Sequence, residues 1–121
     1  MIEFKIDDLE QGHGPALKEG DIISVYYRGW VYDDSRPDKK GAIIGDNYSN
    51  KSPQHIKFGE DELINGWQDG LAGIRAGGKR RLFIPSSMAY GDQGAAPTIP
   101  QGAHLIYEIE VVSITHEDPS E

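Results

Sequence analysis

The residues able to do bond-making chemistry form no recognisable catalytic set. Four histidines, His13, His55, His104 and His116, are scattered through the chain. Zinc ligands usually show as close pairs that can converge, and these do not; the plain reading is structural or solvent-facing histidines. Ser86-Ser87 follows Pro85, yet no nucleophile-elbow pattern surrounds the pair and no histidine–acid partner stands out. The glycines between Gly73 and Gly78 lack the lysine and hydroxyl ending of a phosphate loop and read better as a turn. Among 20 acids no pair is marked for glycoside chemistry. There is no cysteine, which excludes disulfides and thiolate catalysis. No cofactor or metal is expected.

What remains is an apolar set: Tyr27, Leu63, Ile64, Trp67, Tyr90, Ile99 and Tyr107. Two segments carry its centre, Glu62-Leu63-Ile64-Asn65-Gly66-Trp67 and Ile84-Pro85-Ser86-Ser87-Met88-Ala89-Tyr90-Gly91. Each sets large side chains beside glycines. Two readings stand. The residues are plain core, or they line a concave site. Tyr90 and Ile99 favour the second, because they sit among glycines and prolines, where a large apolar group often lines a pocket.

The elements that must position them follow from periodicity. Ile2, Phe4 and Ile6 alternate, which predicts a short strand. Ile22 to Val31 is rich in β-branched and aromatic residues and predicts a longer one, with Ile23, Val25, Tyr27, Gly29 and Val31 on one face. Tyr32 to Pro53 is polar and broken by glycine and proline, and reads as a long loop. Ile56 and Phe58 predict a third strand. Leu63, Trp67 and Leu71 fall on one stripe of a helix over Glu60 to Leu71, with Glu60, Asp61 and Glu62 suited to its positive end and Gly66 and Gly70 weakening it. Lys79 to Ile84 predicts a strand stopped by Pro85. Ser86 to Gly102 is loop. Leu105, Tyr107, Ile109 and Val111 alternate in a last strand. Five antiparallel strands and one short helix make a two-layer α+β domain.

Composition bounds the function. A chain of 121 residues is one domain, here 1–115 followed by a polar tail over 116–121. A net charge of −8 repels phosphate backbones and anionic lipid, so neither nucleic acid nor membrane is an expected partner. The run Lys79-Arg80-Arg81 reads as a solvated face. The N-terminus has no signal-peptide pattern, and the expected location is the cytoplasm.

Several short pieces also match a known family. Gly20-Asp21 with Val25-Tyr26-Tyr27-Arg28-Gly29 comes first, then Phe58-Gly59. Leu63-Ile64-Asn65-Gly66-Trp67 with Gly70-Leu71 follows, then Ile84-Pro85 with Ala89-Tyr90-Gly91, and Ile99-Pro100 leading to Leu105. In this order and spacing the chain resembles the FKBP-type peptidyl-prolyl isomerases, the macrolide-binding immunophilins, over nearly its whole length. The resemblance implies a bent five-stranded antiparallel sheet wrapped around one short helix, with a pocket between them. It implies Trp67 as the pocket floor and Tyr27, Leu63, Ile64, Tyr90, Ile99 and Tyr107 as walls, with Ala89 beside Tyr90. The Ile64 N–H and the Tyr90 hydroxyl are implied as holders of substrate carbonyls.

Departures from the family pattern cluster on one side. An aromatic–acid pair is usual where this chain has Ile43-Ile44-Gly45-Asp46-Asn47. Either Asp46 is the acid and Gly45 replaces the aromatic, or Ile44 replaces the aromatic and Gly45 the acid. Asp46 is the favoured acid, since a buried carboxylate near Tyr27 has a physical role. Gln54 replaces an aromatic, Ala95 a residue often aromatic or histidine, and Thr98 an aliphatic.

The implied activity is acceleration of X–Pro bond rotation during protein folding, with proline-containing polypeptides as substrates, immunophilin-type macrolides as inhibitors and a monomer as the working unit. The alternative is a proline-binding or chaperone module with feeble catalysis. Rotation breaks no bond, so the lack of a nucleophile is in keeping with either.

Overall fold

A computed structural model describes residues 2–49 and 51–116. Of the expected polar tail only His116 lies among them. Among the described residues six strands form one antiparallel sheet: β1 (Lys5–Glu10), β2 (Ile22–Tyr32), β3 (Lys40–Asp46), β4 (Gln54–Lys57), β5 (Lys79–Ile84) and β6 (Leu105–Thr115). The one α-helix among the described residues is α1 (Asn65–Leu71), between β4 and β5. The sheet order is β1-β5-β6-β2-β3, with β4 also paired to β2. The α+β architecture expected from the sequence is present, with six strands rather than five.

The sixth strand is β3, inside the stretch expected to be loop. It is an edge strand, and its two adjacent isoleucines have opposite surroundings: Ile43 is 55% exposed while Ile44 packs on the core. With an isoleucine on each face and only one of them turned to the core, the sequence of this edge strand carries no period-2 signal. The first strand is also displaced, from the Ile2–Ile6 alternation to Lys5–Glu10, where it pairs with β5.

β2 and β6 form the spine of the sheet. They run antiparallel from Ile22↔Thr115 to Val31↔Leu105, with a bulge between Ser24 and Val25. Leu105, Tyr107, Ile109 and Val111 lie in one core cluster with Ile23, Val25, Leu82, Ile84, Trp67 and Leu71. The expected alternation of β6 is therefore present. Ile106 is also fully buried, against the alternation; its cross-strand neighbours are Trp30 and Phe83.

The helix starts at Asn65, not at Glu60. Glu60 to Glu62 lie in the preceding turn, where Asp61 accepts a hydrogen bond from the Lys57 N–H (2.9 Å). Those acids therefore do not act on the helix dipole. Gly66 and Gly70 prove to be contact residues. A Cβ on Gly66 would lie 2.5 Å from Ile84 Cγ2, and one on Gly70 2.6 Å from Leu82 Cδ1. Each helical glycine costs about 1 kcal/mol against alanine. Here the pair lets α1 press against β5, so Trp67 and Leu71 reach the core. At the far end, Arg80 Nη1 donates to the Gly70 and Ala72 carbonyls (2.9 Å each), satisfying orphan acceptors of the helix C-terminus. Arg80 also meets Asp8, and Arg81 meets Glu108. The two arginines of the basic run are thus tied into the sheet.

Candidate active site

The site is built where Trp67 of α1 meets Tyr27 of β2 and Tyr107 of β6. Trp67 and Tyr107 stand edge-on, with ring centroids 5.2 Å apart and planes at 85°. Tyr27 meets Trp67 edge-on at 5.4 Å and lies 6.2 Å from Tyr107. Edge-to-face contacts place the positive rim of one ring on the negative face of another, which fixes each ring's attitude. Above these rings opens a cavity of about 180 Å³, lined by Tyr27, Gln54, Glu62, Leu63, Ile64, Trp67, Tyr90 and Tyr107.

The floor is dry and the rim is wet. Trp67 and Tyr107 keep 7% and 8% of their surface exposed, whereas Tyr90 keeps 40%. Burial, and then the neighbouring phenols of Tyr90 and Tyr27, push the Tyr107 hydroxyl well above the ordinary tyrosine pKa. It is a neutral hydrogen-bonding group at physiological pH.

Each wall has a local cause. Ile64 adopts φ −62° and ψ 151° just before α1, and its carbonyl accepts from the N–H groups of Trp67 (3.0 Å) and Gln68 (3.1 Å). That geometry keeps Leu63 and Ile64 extended along the rim. The Ile64 N–H has no hydrogen-bond partner among the described residues. On the opposite side, the Ser86 N–H donates to His104 Nδ1 (2.9 Å), which fixes the start of a 3₁₀ turn over Ser86–Met88. The chain then passes Ala89 and presents Tyr90. His104 therefore holds a loop.

Tyr27 is positioned by an unexpected residue. β3 pairs with β2 from Arg28 onward, and β4 pairs with it up to Val25. Between them, Asn47 takes over the ladder. Its Oδ1 accepts from the Tyr27 N–H (2.7 Å), its Nδ2 donates to the Val25 carbonyl (3.0 Å), and its own N–H donates to the Tyr27 carbonyl (3.2 Å). Asn47 is 8% exposed. The only sequence signal for it is an asparagine beside an aspartate after a strand, which reads as an ordinary turn.

Six expected residues, Tyr27, Leu63, Ile64, Trp67, Tyr90 and Tyr107, share the cavity. Ile99 and Ala89 pack into the adjoining core instead. Ile99 exchanges two 2.9 Å backbone hydrogen bonds with Ala95, closing the late loop. Asp46 is not brought to the cavity. Its carboxylate accepts from the Tyr48 N–H (2.9 Å) and the Ser49 hydroxyl (2.8 Å) and pairs with Arg28 at 3.4 Å. The Ser49 hydrogen bond, opposed by desolvation and joined by Tyr48 and Arg28, holds it below the usual carboxylate range. The residue facing Tyr27 is Gly45, where a Cβ would lie 3.0 Å from Tyr27 Cε2 and 3.6 Å from its hydroxyl oxygen. Strand alternation turned the favoured reading by one residue. Gln54, which stands where the family pattern has an aromatic, also lines the cavity, as does Glu62, the neighbour of Leu63, which was read only as part of the helix start.

Comparison with known proteins agrees with this geometry. A family model described as FKBP-type peptidyl-prolyl cis-trans isomerase matches residues 14–112. An FK506-binding protein of Neisseria meningitidis is 37% identical over 114 residues, covering 94% of this chain and 98% of that protein. A peptidyl-prolyl cis-trans isomerase of Arabidopsis thaliana is 37% identical over 117 residues, covering 96% of this chain and 64% of that one. The crystal structure of FkpA from Escherichia coli aligns with a TM-score of 0.79 at 31% identity, over 93% of this chain but only 48% of FkpA. A peptidyl-prolyl cis-trans isomerase from Pseudomonas syringae aligns at 0.75 and 31% identity, over 93% of this chain and 76% of that one. Family model, relatives and fold converge, and the chain belongs to the FKBP-type peptidyl-prolyl cis-trans isomerases.

Proposed function

We propose that this isomerase seats the proline ring of an X–Pro segment in the aromatic cavity and turns the preceding peptide bond there. The observation that carries the assignment is the trio of rings, Trp67 edge-on to both Tyr27 and Tyr107, beneath a cavity of about 180 Å³. A cavity of roughly 150 Å³ suffices for a benzene ring, so a pyrrolidine ring fits.

The chemistry follows from the barrier. Amide resonance sets it at about 18–20 kcal/mol, and uncatalysed X–Pro bonds exchange over tens to hundreds of seconds. Twisting the bond removes conjugation and the charge separation it carries. A site that withholds water destabilises the planar, polar form more than the twisted one. Groups that fit only the twisted form add differential binding. Trp67 supplies the dry floor, Leu63 and Ile64 one wall and Tyr27 and Tyr107 the other. The Ile64 N–H and the Tyr90 hydroxyl orient the carbonyls flanking the proline. The same cavity is the proposed seat for immunophilin-type macrolides, a reading supported by the FK506-binding name of the Neisseria relative. Nothing in the site favours a binding module over an enzyme.

The test compares Trp67→Ala with Tyr32→Ala, a residue outside this cavity. Titration calorimetry with a proline peptide, beside a protease-coupled isomerase assay, reads both. Loss of a buried aromatic anchor costs binding about 2 kcal/mol, roughly thirtyfold. Trp67→Ala is expected to lose that affinity and most isomerase activity, while Tyr32→Ala keeps both. Equal binding by the two variants rules out the pocket.

A further inference from the structure

The hydroxyl of Tyr107 has no stated role in a site that needs only its ring. Tyr107 is more than nine-tenths buried, and its Oη makes no hydrogen bond with any described residue. Among the described residues no fully occluded side-chain N or O lacks a partner. The Oη must therefore open onto free space, and the space Tyr107 lines is the cavity. A proline ring closing over the floor strips water from this hydroxyl. Left unbonded, it would penalise every substrate.

The ring has little freedom to turn the hydroxyl elsewhere. Its backbone pairs with Gly29, and the ring lies so close over that glycine that a Cβ there would come within 2.4 Å of Cε1. Trp67 blocks another side, edge-on. Tyr27 blocks a third. The side beside Tyr27 is where Gly45 stands and where the cavity lining holds no carboxylate; its one carboxylate, Glu62, precedes Leu63 on the other wall. A carbonyl oxygen can swing towards this side without meeting a fixed negative charge there.

We propose that Tyr107 Oη–H donates a hydrogen bond to the carbonyl oxygen of the residue preceding proline once the peptide bond has turned out of plane. The contact exists in the twisted form and not in either planar isomer. It is thus realised in the transition state, where binding raises kcat. Burial keeps the phenol protonated, so it remains a donor across the neutral range. The assignment makes Tyr107 a catalytic residue and rests on the proline-pocket reading above.

The experiment is Tyr107→Phe, which keeps the ring and removes only the hydroxyl. Initial rates against concentration of a cis-proline tetrapeptide give kcat and KM separately, and thermal unfolding confirms that the variant is folded. Expected is a fall in kcat by roughly three- to tenfold, the worth of one net hydrogen bond, with KM unchanged or lower, because the planar isomers leave the hydroxyl unbonded. A kcat equal to or above wild type overturns the proposal, because the hydroxyl would then be idle or a burden. 4-Fluorophenylalanine at position 107, which keeps a ring of nearly the same size and also lacks the hydroxyl, carries the same comparison if the Phe variant does not fold. Trp67→Ala run alongside separates the two ideas: if it is inactive while Tyr107→Phe keeps full kcat, the pocket stands and the hydroxyl role falls.

Discussion

Replacing Gly29 with alanine adds one methyl group and should disturb both stability and catalysis. Gly29 sits in β2 between Tyr107 on β6 and Gly45 on β3. A Cβ there would lie 2.4 Å from Tyr107 Cε1, 2.8 Å from Cδ1 and 3.0 Å from Cζ. Carbon atoms rest about 3.5–4.0 Å apart, so the ring must retreat by about 1 Å. Trp67 and Tyr27 stand in its way. Overpacking of this kind costs about 1–3 kcal/mol. Opposing it, the alanine restricts the unfolded chain and returns about 0.4–1 kcal/mol, since Gly29 does not occupy the left-handed region. The steric cost wins by about 1–2 kcal/mol. In a domain of this size that lowers Tm by roughly 3–10 °C. Because the displaced ring is a cavity wall, kcat/KM should fall several-fold in the same variant. Circular dichroism melts and the protease-coupled assay read the two effects. A Tm at or above wild type would refute the reasoning, since it would mean that Tyr107 moves aside freely.

Two further outcomes test the surroundings of the cavity. Asp46→Asn should leave kcat/KM within about twofold, as for an ordinary surface change, because its carboxylate faces Arg28, Tyr48 and Ser49; a tenfold loss in the same assay would return it to the site. Asn47→Ala strips partners from the Tyr27 N–H and the Val25 carbonyl, each a loss of about 1–3 kcal/mol. Urea denaturation should show about 2–4 kcal/mol of destabilisation, and wild-type stability would mean that water replaces the asparagine at no cost.

The central strands and the cavity rings were legible because burial writes a pattern. The alternation of Leu105, Tyr107, Ile109 and Val111 and the spacing of Trp67 and Leu71 follow directly from facing one core. The edges were not legible. Lys40–Asp46 has two glycines and a pair of isoleucines with opposite fates, so neither its existence nor its register could be read from alternation. The choice between Gly45 and Asp46 hung on that register. The helix start was misplaced for a related reason. Leu63 lies four residues before Trp67 and fits its stripe, but it is held extended at the cavity rim. Asn47 could not be recognised at all, since its partners are backbone atoms of a strand twenty residues away in sequence.

The asparagine splice has a consequence for how the fold tolerates change. A continuous edge strand would transmit any shift along its whole length, because ladder bonds repeat in fixed register. Here the edge of β2 is served by two short strands and one side chain between them. Residues inserted before Lys40 lengthen only the turn from β2. Those inserted after Asn47 lengthen the passage to β4, where the ties to keep are Asn47 Nδ2 to the Ser52 carbonyl (3.3 Å) and Tyr48 stacked on Tyr26. With those kept, neither change pulls on Tyr27. The fold thus carries an expansion joint beside its most constrained ring, and the segments on either side of it are free to acquire new lengths and surfaces while the cavity keeps its dimensions.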